Sequence, residues 1–442
     1  MRSAVILFCF AVICNNLFAQ KQTQWYVSLL QPALFAQSKV MMHDVVNPPA
    51  ASRYYAYGML AAYAIVSQHN PTLPPAQTFI KQYKPIVIYP SSHYDYRIAA
   101  LYSILEAGKL MLPSGYMIED DEQKMVKKLK EAHVSQVTID ESVAVAKDVT
   151  AQIILFSKSD HYNQLSAKRR YTPVKGEGYW YPTPPGYIEA VEPNWKTVRP
   201  MMIDSCNQFV PKVPVTFSKD SSSAFFALAK EVYNYGVHPT KEELTVASFW
   251  DCNPFAIETS GHMMIGFKKI SPGGHWINIG SIAAQKAKLS FDDAVAMETY
   301  LAGTLMDAFI SCWDEKYRSN RIRPETYIVR YIDQKWTPLL QTPPFPEYTS
   351  GHSVISTAAA EVLTYLLGDH FLFTDDSEEI FELPARTFSS FKQAANEAAV
   401  SRIYGGIHFR DSVEWGQEEG KKIGEFVTAL LKKAGVKPMR GS

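Results

Sequence analysis

Residues 291–324 read FDDAVAMETYLAGTLMDAFISCWDEKYRSNRIRP. The run from Phe291 to Trp313 reads as a long helix, and it carries Lys316 and Arg323 toward its C-terminal end. Seven residues make two helical turns, so the spacing puts both cations on one side. The negative end of the helix dipole favours cations there. Pro324 is expected to end the helix, because proline disfavours helical geometry at the residue before it. The plainer alternative is a solvated basic face made of Lys316, Arg318, Arg321 and Arg323.

Helical patterning continues in both directions. Ser52–Ser67, Asp95–Leu112, Glu122–Ala132, Ser142–Lys158 and Ser222–Tyr235 are candidate helices upstream, and Phe291 is expected to run on to Arg321. Ser353–Leu367, Phe388–Tyr404 and Glu414–Lys433 follow. Alternating strand runs are missing from the sequence, and no internal repeat is evident. Tyr171–Pro200, rich in Pro, Gly and aromatic residues, reads as a long ordered crossover. Glu177, Gly178 and Trp180 within it could line a pocket mouth, although aromatic cover for the core is the simpler reading. The expected fold is all-α: two packed helical bundles with long ordered connecting loops. Residues 20–200 would form the first bundle as a buttress. Residues 201–436 would form the second, which carries the motif helices.

Composition narrows the partners. Forty-four basic residues balance forty-four acidic ones, so net charge gives no case for nucleic acid or an anionic membrane. Residues 1–19 have Arg2, an apolar stretch and Leu17-Phe18-Ala19, which reads as a cleaved signal peptide. Its apolar part is too short for a stable span, and no integral membrane span is expected later. Secreted or periplasmic localisation follows. Cys14 raises lipoprotein anchoring as the weaker option, since Val12-Ile13 fits a lipobox poorly. Cleavage leaves Cys206, Cys252 and Cys312, enough for one disulfide and a leftover thiol.

Two further motifs follow the lysine. Tyr348-Thr349-Ser350-Gly351-His352 comes after the Pro343-Pro344-Phe345-Pro346 lead-in and reads as a helix start. Thr349 or Ser350 can cap, and the free N–H groups of a helix N-terminus suit an anion. Gly351 lets backbone approach closely, and His352 in the first turn could act as general acid or base. An ordinary cap with a surface histidine is the bland alternative. The tetrad Thr259-Ser260-Gly261-His262 repeats the same letters without the proline lead-in and reads as coincidence. The last motif, Ser401-Arg402-x5-His408, spans Gly405-Gly406. A glycine turn lets Arg402 and His408 face one cavity, which an unbroken helix would not. Two arginines and a lysine can neutralise a tetrahedral oxyanion, and arginine adds bidentate forks.

These residues resemble the vanadium-dependent haloperoxidases and the type 2 phosphatidic-acid phosphatases, which share one anion site. The resemblance implies that Lys316, Arg323, Ser350, Gly351 and Arg402 bind the oxyanion. It implies that His352 is the acid/base, and that His408 ligates vanadium or, in a phosphatase, attacks phosphorus. Trp313, three before the lysine, and Phe345, seven before His352, are similar to the chloroperoxidase-like branch. Gly178–Pro185 and Gly274-His275-Trp276 also look like family segments. Phe249-Trp250-Asp251 resembles the segment whose aspartate pairs with the second arginine, so Asp251 is expected to hold Arg402. Thr349 stands where the family has proline. Ser412 stands where it has an aspartate four residues after the last histidine, which leaves Asp411 and Glu414 as the carboxylates expected to orient His408.

The reading that results is an exported enzyme using vanadate to oxidise halide with hydrogen peroxide. A soluble phosphomonoesterase, with a phosphohistidine and no vanadate, is the alternative. In both cases the partner is a small molecule. An exported binding protein with a decayed site is a third class.

Overall fold

The computed structural model describes residues 24–89, 92–260, 263–266 and 268–439. The leader expected over 1–19, and Gly261 and His262 of the repeated tetrad, lie outside them.

Thirteen α-helices dominate the described residues. They are α1 (24–43), α2 (Pro48–His69), α3 (Tyr96–Met111), α4 (Glu119–Glu131), α5 (Gln136–Ser157), α6 (Ala224–Val237) and α7 (Lys241–Phe249). After them come α8 (Pro272–Lys286), α9 (Phe291–Ser319), α10 (Pro324–Tyr331), α11 (Gly351–Leu367), α12 (Phe391–Tyr404) and α13 (Arg410–Lys433). Two short antiparallel hairpins, β1 (Ile257–Ser260) with β2 (Met263–Gly266) and β3 (Phe373–Asp375) with β4 (Arg386–Phe388), decorate the helices. The chain is therefore all-α, as its patterning indicates.

Helix α9 is the axle. Ser290 caps it, its side chain accepting from the backbone N–H of Asp293 at 3.1 Å. Almost every residue from Phe291 to Lys316 is buried, which is possible only for a helix covered on all sides. Helix α2, buried from Pro48 to Val66, packs on one side of it and α11 on another. The main apolar core draws on residues from Tyr26 to Val436, and a smaller cluster around Phe225, Tyr327 and Phe409 lies beside it. Asp307 of α9 fastens the crossover to it by accepting backbone N–H bonds from Met201, Met202 and Ile203 at 2.6–2.9 Å.

The end of α9 corrects the sequence reading. The helix does not run to Arg321, and Pro324 does not end it. Asn320 closes it in a left-handed conformation at φ 48°. Arg323 is extended, and Pro324 opens α10 at its first turn, where proline is tolerated. Lys316 and Arg323 therefore do not share a helix face. The crossover holds the intervening strand of chain: Trp180 N–H donates to Asn320 O at 2.7 Å and Ile322 N–H to Gly178 O at 3.0 Å. Trp180 is buried cover, and Glu177 is exposed and paired with Lys219. Cys206, Cys252 and Cys312 are free thiols, so the disulfide that three cysteines would allow does not form among them.

Candidate oxyanion site

Four segments meet at one pocket: the end of α9 with its extension, the loop into α11, the α12–α13 turn, and the chain after α7. Trp313, Phe345, Gly351, His352, Arg402 and His408 line it together. Arg402 and His408 reach it because Gly406, at φ +79°, turns the chain between α12 and α13.

His408 is buried, with both ring nitrogens engaged. Nδ1 lies 2.8 Å from Oε1 of Glu347, and Nε2 lies 3.1 Å from Nη1 of Arg323. A carboxylate only accepts and a guanidinium only donates. The proton is therefore on Nδ1, and the Nε2 lone pair faces the cations. Burial, then Arg323 and Lys316, hold the His408 pKa well below the usual imidazole value, so the ring is neutral at pH 7.

Glu347 is the carboxylate that orients His408, and the sequence reading did not name it. It also accepts from the Phe409 N–H at 3.0 Å and pairs with Arg321 at 3.3 Å. Asp411 does not touch His408. It pairs with Arg321 at 2.8 Å, on the far side of Glu347. Glu414 is exposed on α13. Ser412, at the family aspartate position, puts its Oγ 3.3 Å from Nδ1. A serine is too short to supply the charge, and Glu347 supplies it from 61 residues upstream. Its position directly before Tyr348-Thr349-Ser350-Gly351-His352 was the available signal.

Arg323 is fully buried. Its Nε donates to Phe345 O at 3.0 Å and its Nη1 to Ile407 O at 2.8 Å, while Nη2 has no partner. Burial lowers its pKa to about 10. Lys316 Nζ donates to the carbonyls of Pro346, Glu347 and Thr349 at 3.2, 3.1 and 2.6 Å, and burial lowers its pKa to about 8. The charges of Lys316 and Arg323 each lie 5.1 Å from the Phe345 ring. Arg402 donates to Ser401 Oγ at 3.0 Å and Ala247 O at 3.4 Å, and burial lowers its pKa too. No ion pair joins Asp251 to Arg402. Its charge acts on the arginine only at longer range, because the arginine forks instead to Ser401 and a backbone carbonyl.

Ser350, not Thr349, caps α11, with Oγ accepting from Ser353 N–H. Thr349 donates to buried Glu419 at 2.7 Å. The first N–H groups of α11, at Gly351 and His352, have no carbonyl within the helix. A Cβ at 351 would stand 3.9 Å from Trp313. His352 Nε2 is buried without a partner, and burial with Arg402 and His408 holds its pKa well below the usual value. An unpartnered guanidinium nitrogen, an unpartnered imidazole nitrogen and a helix start converge on one place. That donor set fits a tetrahedral oxyanion such as vanadate.

The fold itself is shared with proteins of known structure. Over 94% of its length the chain superposes on a solved structure described as the first bacterial vanadium-dependent iodoperoxidase, covering 97% of that chain. The two share 39% identity with a TM-score of 0.85. The chain belongs to the vanadium-dependent haloperoxidase family. Residues 296–435 match the family described as the VCPO second helical-bundle domain. The holo and apo forms of a bacterial vanadium-dependent chloroperoxidase share the fold at TM-scores of 0.66 and 0.64. Identity to them is 15% and 14%. Each comparison covers 88% of this chain, and 93% and 95% of theirs. No curated protein matches the sequence. In this haloperoxidase-like oxidoreductase a neutral histidine, buried cations and a helix N-terminus lie together, and Glu347 is the carboxylate held against that histidine.

Proposed function

We propose that the chain holds vanadate at His408 and oxidises halide with hydrogen peroxide. The carrying observation is the neutral His408 ring, with its Nε2 lone pair directed at the cation side and its Nδ1–H held by Glu347. Bound vanadate would supply Lewis-acid activation of peroxide.

The chain's own groups have separable roles in this reading. His408 Nε2 is the ligand atom, and Glu347 fixes its tautomer and raises its basicity. Arg323 Nη2, Arg402 and the Gly351 and His352 N–H groups neutralise the anion's oxygens. Lys316 is held by three carbonyls, so it contributes charge rather than a free hydrogen bond. Neutral His352, with Nε2 free, can take a proton from incoming peroxide and return it to departing water. Trp313 and Phe345 exclude water from the halide side.

Iodide is the first halide to test, because the relative with 39% identity is described as an iodoperoxidase. The test is halide oxidation by the vanadate-loaded chain, with phosphate-ester hydrolysis assayed beside it. Peroxide-dependent iodide oxidation supports the proposal. Phosphate release without halide oxidation would replace it by the phosphomonoesterase reading. We also infer export from the Met1–Ala19 pattern. N-terminal sequencing of protein recovered outside the cytoplasm should begin near Gln20, and an intact Met1 terminus would contradict it.

A further inference from the structure

Cys252 lines the oxyanion pocket and also belongs to a second constellation. It converges with His275 of α8 and Glu378, which follows β3, and all three are buried. The His275 ring is fixed: Nε2 lies 2.7 Å from Oδ2 of Asp375, and one face stacks on Trp250 at 4.6 Å. Nδ1 then points at Cys252 Sγ, 3.5 Å away, and at Glu378 Oε1, 3.4 Å away. The three donor atoms all lie within 4.8 Å of one another. Neither oxygen of the Glu378 carboxylate has a hydrogen-bond partner, although both are shut off from solvent. A buried carboxylate left in that state is either protonated, as burial raising its pKa to about 7 allows, or paired with a cation.

We propose that Cys252, His275 and Glu378 bind a borderline-soft divalent cation of the zinc type, at a site separate from the oxyanion site. Tetrahedral bonds of about 2.3 Å to sulfur, about 2.0 Å to nitrogen and about 2.1 Å to oxygen place S and N about 3.5 Å apart and N and O about 3.4 Å apart. Those are the separations the side chains already have. Asp375 supplies the outer carboxylate that a metal-binding histidine characteristically engages through its other nitrogen. On binding, the Cys252 thiol and any proton on Nδ1 release protons to water, and the cation takes the thiolate, imidazole and carboxylate. One tetrahedral position remains for a non-protein ligand. The competing arrangement is a His275 imidazolium wedged between Asp375 and Glu378. It leaves Glu378 poorly served, because the contact at 3.4 Å is not a hydrogen bond. A metal here would staple the chain after α7, helix α8 and the β3–β4 connection together behind His352 and Arg402.

The full chain, stripped with chelator, is titrated with Co²⁺ alone and then with Zn²⁺. The expected result is a thiolate-to-cobalt charge-transfer band that saturates stoichiometrically, vanishes as Zn²⁺ displaces Co²⁺, and is accompanied by a higher melting temperature. Cys252→Ser should abolish the band. Glu378→Gln removes a charged ligand, so it should keep the band but weaken affinity by more than the roughly tenfold that losing an outer-shell partner costs, and His408→Ala should leave it intact. No band in the unaltered chain, or Zn²⁺ affinity in Cys252→Ser and Glu378→Gln equal to that of the unaltered chain, would overturn the proposal in favour of the imidazolium. If Cys252→Ser fails to fold, the band in the unaltered chain and the Glu378→Gln affinity still decide.

Discussion

Among single residues, Glu347 decides how His408 is held. Glu347→Gln keeps an acceptor for His408 Nδ1–H but removes the charge. Vanadate affinity should fall about 10–100-fold, measured by titration. Asp411→Asn should change it much less, because Asp411 reaches His408 only through Arg321 and Glu347; equal losses in the two variants would deny Glu347 its role. Lys316 sets a pH dependence. Its folded pKa of about 8 lies below its ordinary 10.5, chiefly through burial. Between those values the unfolded chain binds more protons, so this residue's contribution to stability grows as pH rises through that window. Anion affinity runs the other way, since the site loses a charge above about pH 8. Lys316→Arg should flatten that loss, followed by phosphate competition against pH. The cations and both histidines were legible in the sequence because each sits in a short motif. Glu347 was not, because it meets His408 only through the folding of two distant segments. Asp251 acts on Arg402 through its charge without a close ion pair, and a sequence neighbourhood does not say whether an arginine will fork to a carboxylate or to a backbone carbonyl.

At the scale of elements, the site depends on how closely α13 lies against the start of α11. Gly416 of α13 makes this approach possible. A Cβ there would meet Ser353 Cβ at 2.9 Å and Ser350 O at 3.1 Å. Gly416→Ala gains helix propensity of roughly 0.5–1 kcal/mol, but the overpacking penalty of about 1–3 kcal/mol should exceed it. Denaturant melts should show net destabilisation, with weaker anion binding as Ser350 shifts. A stabilised variant with unchanged affinity would contradict the close-approach argument. Most long helices were readable from periodicity, with boundaries displaced by a few residues. Helices α1, α7, α8 and α10 were not; glycines at the start of α8 and the brevity of α7 and α10 blur the pattern. The end of α9 was misjudged because Pro324 signals a helix start as readily as a stop.

At the scale of the molecule, α9 is enclosed between α2 and α11, and one core joins the first helix to the last. The chain should therefore unfold in a single cooperative calorimetric transition, and a fragment beginning at residue 201 should not fold, since it would expose the α2-facing side of α9. Two separate transitions would contradict this. Residues spread from 316 to 408 form one oxyanion site around a neutral histidine. Its most direct measurement is vanadate titration of the full chain beside Arg402→Ala and His408→Ala. The expected result is stoichiometric binding by the unaltered chain, competed by phosphate and lost in both variants. Unchanged vanadate affinity in either variant, with the fold intact, would contradict it.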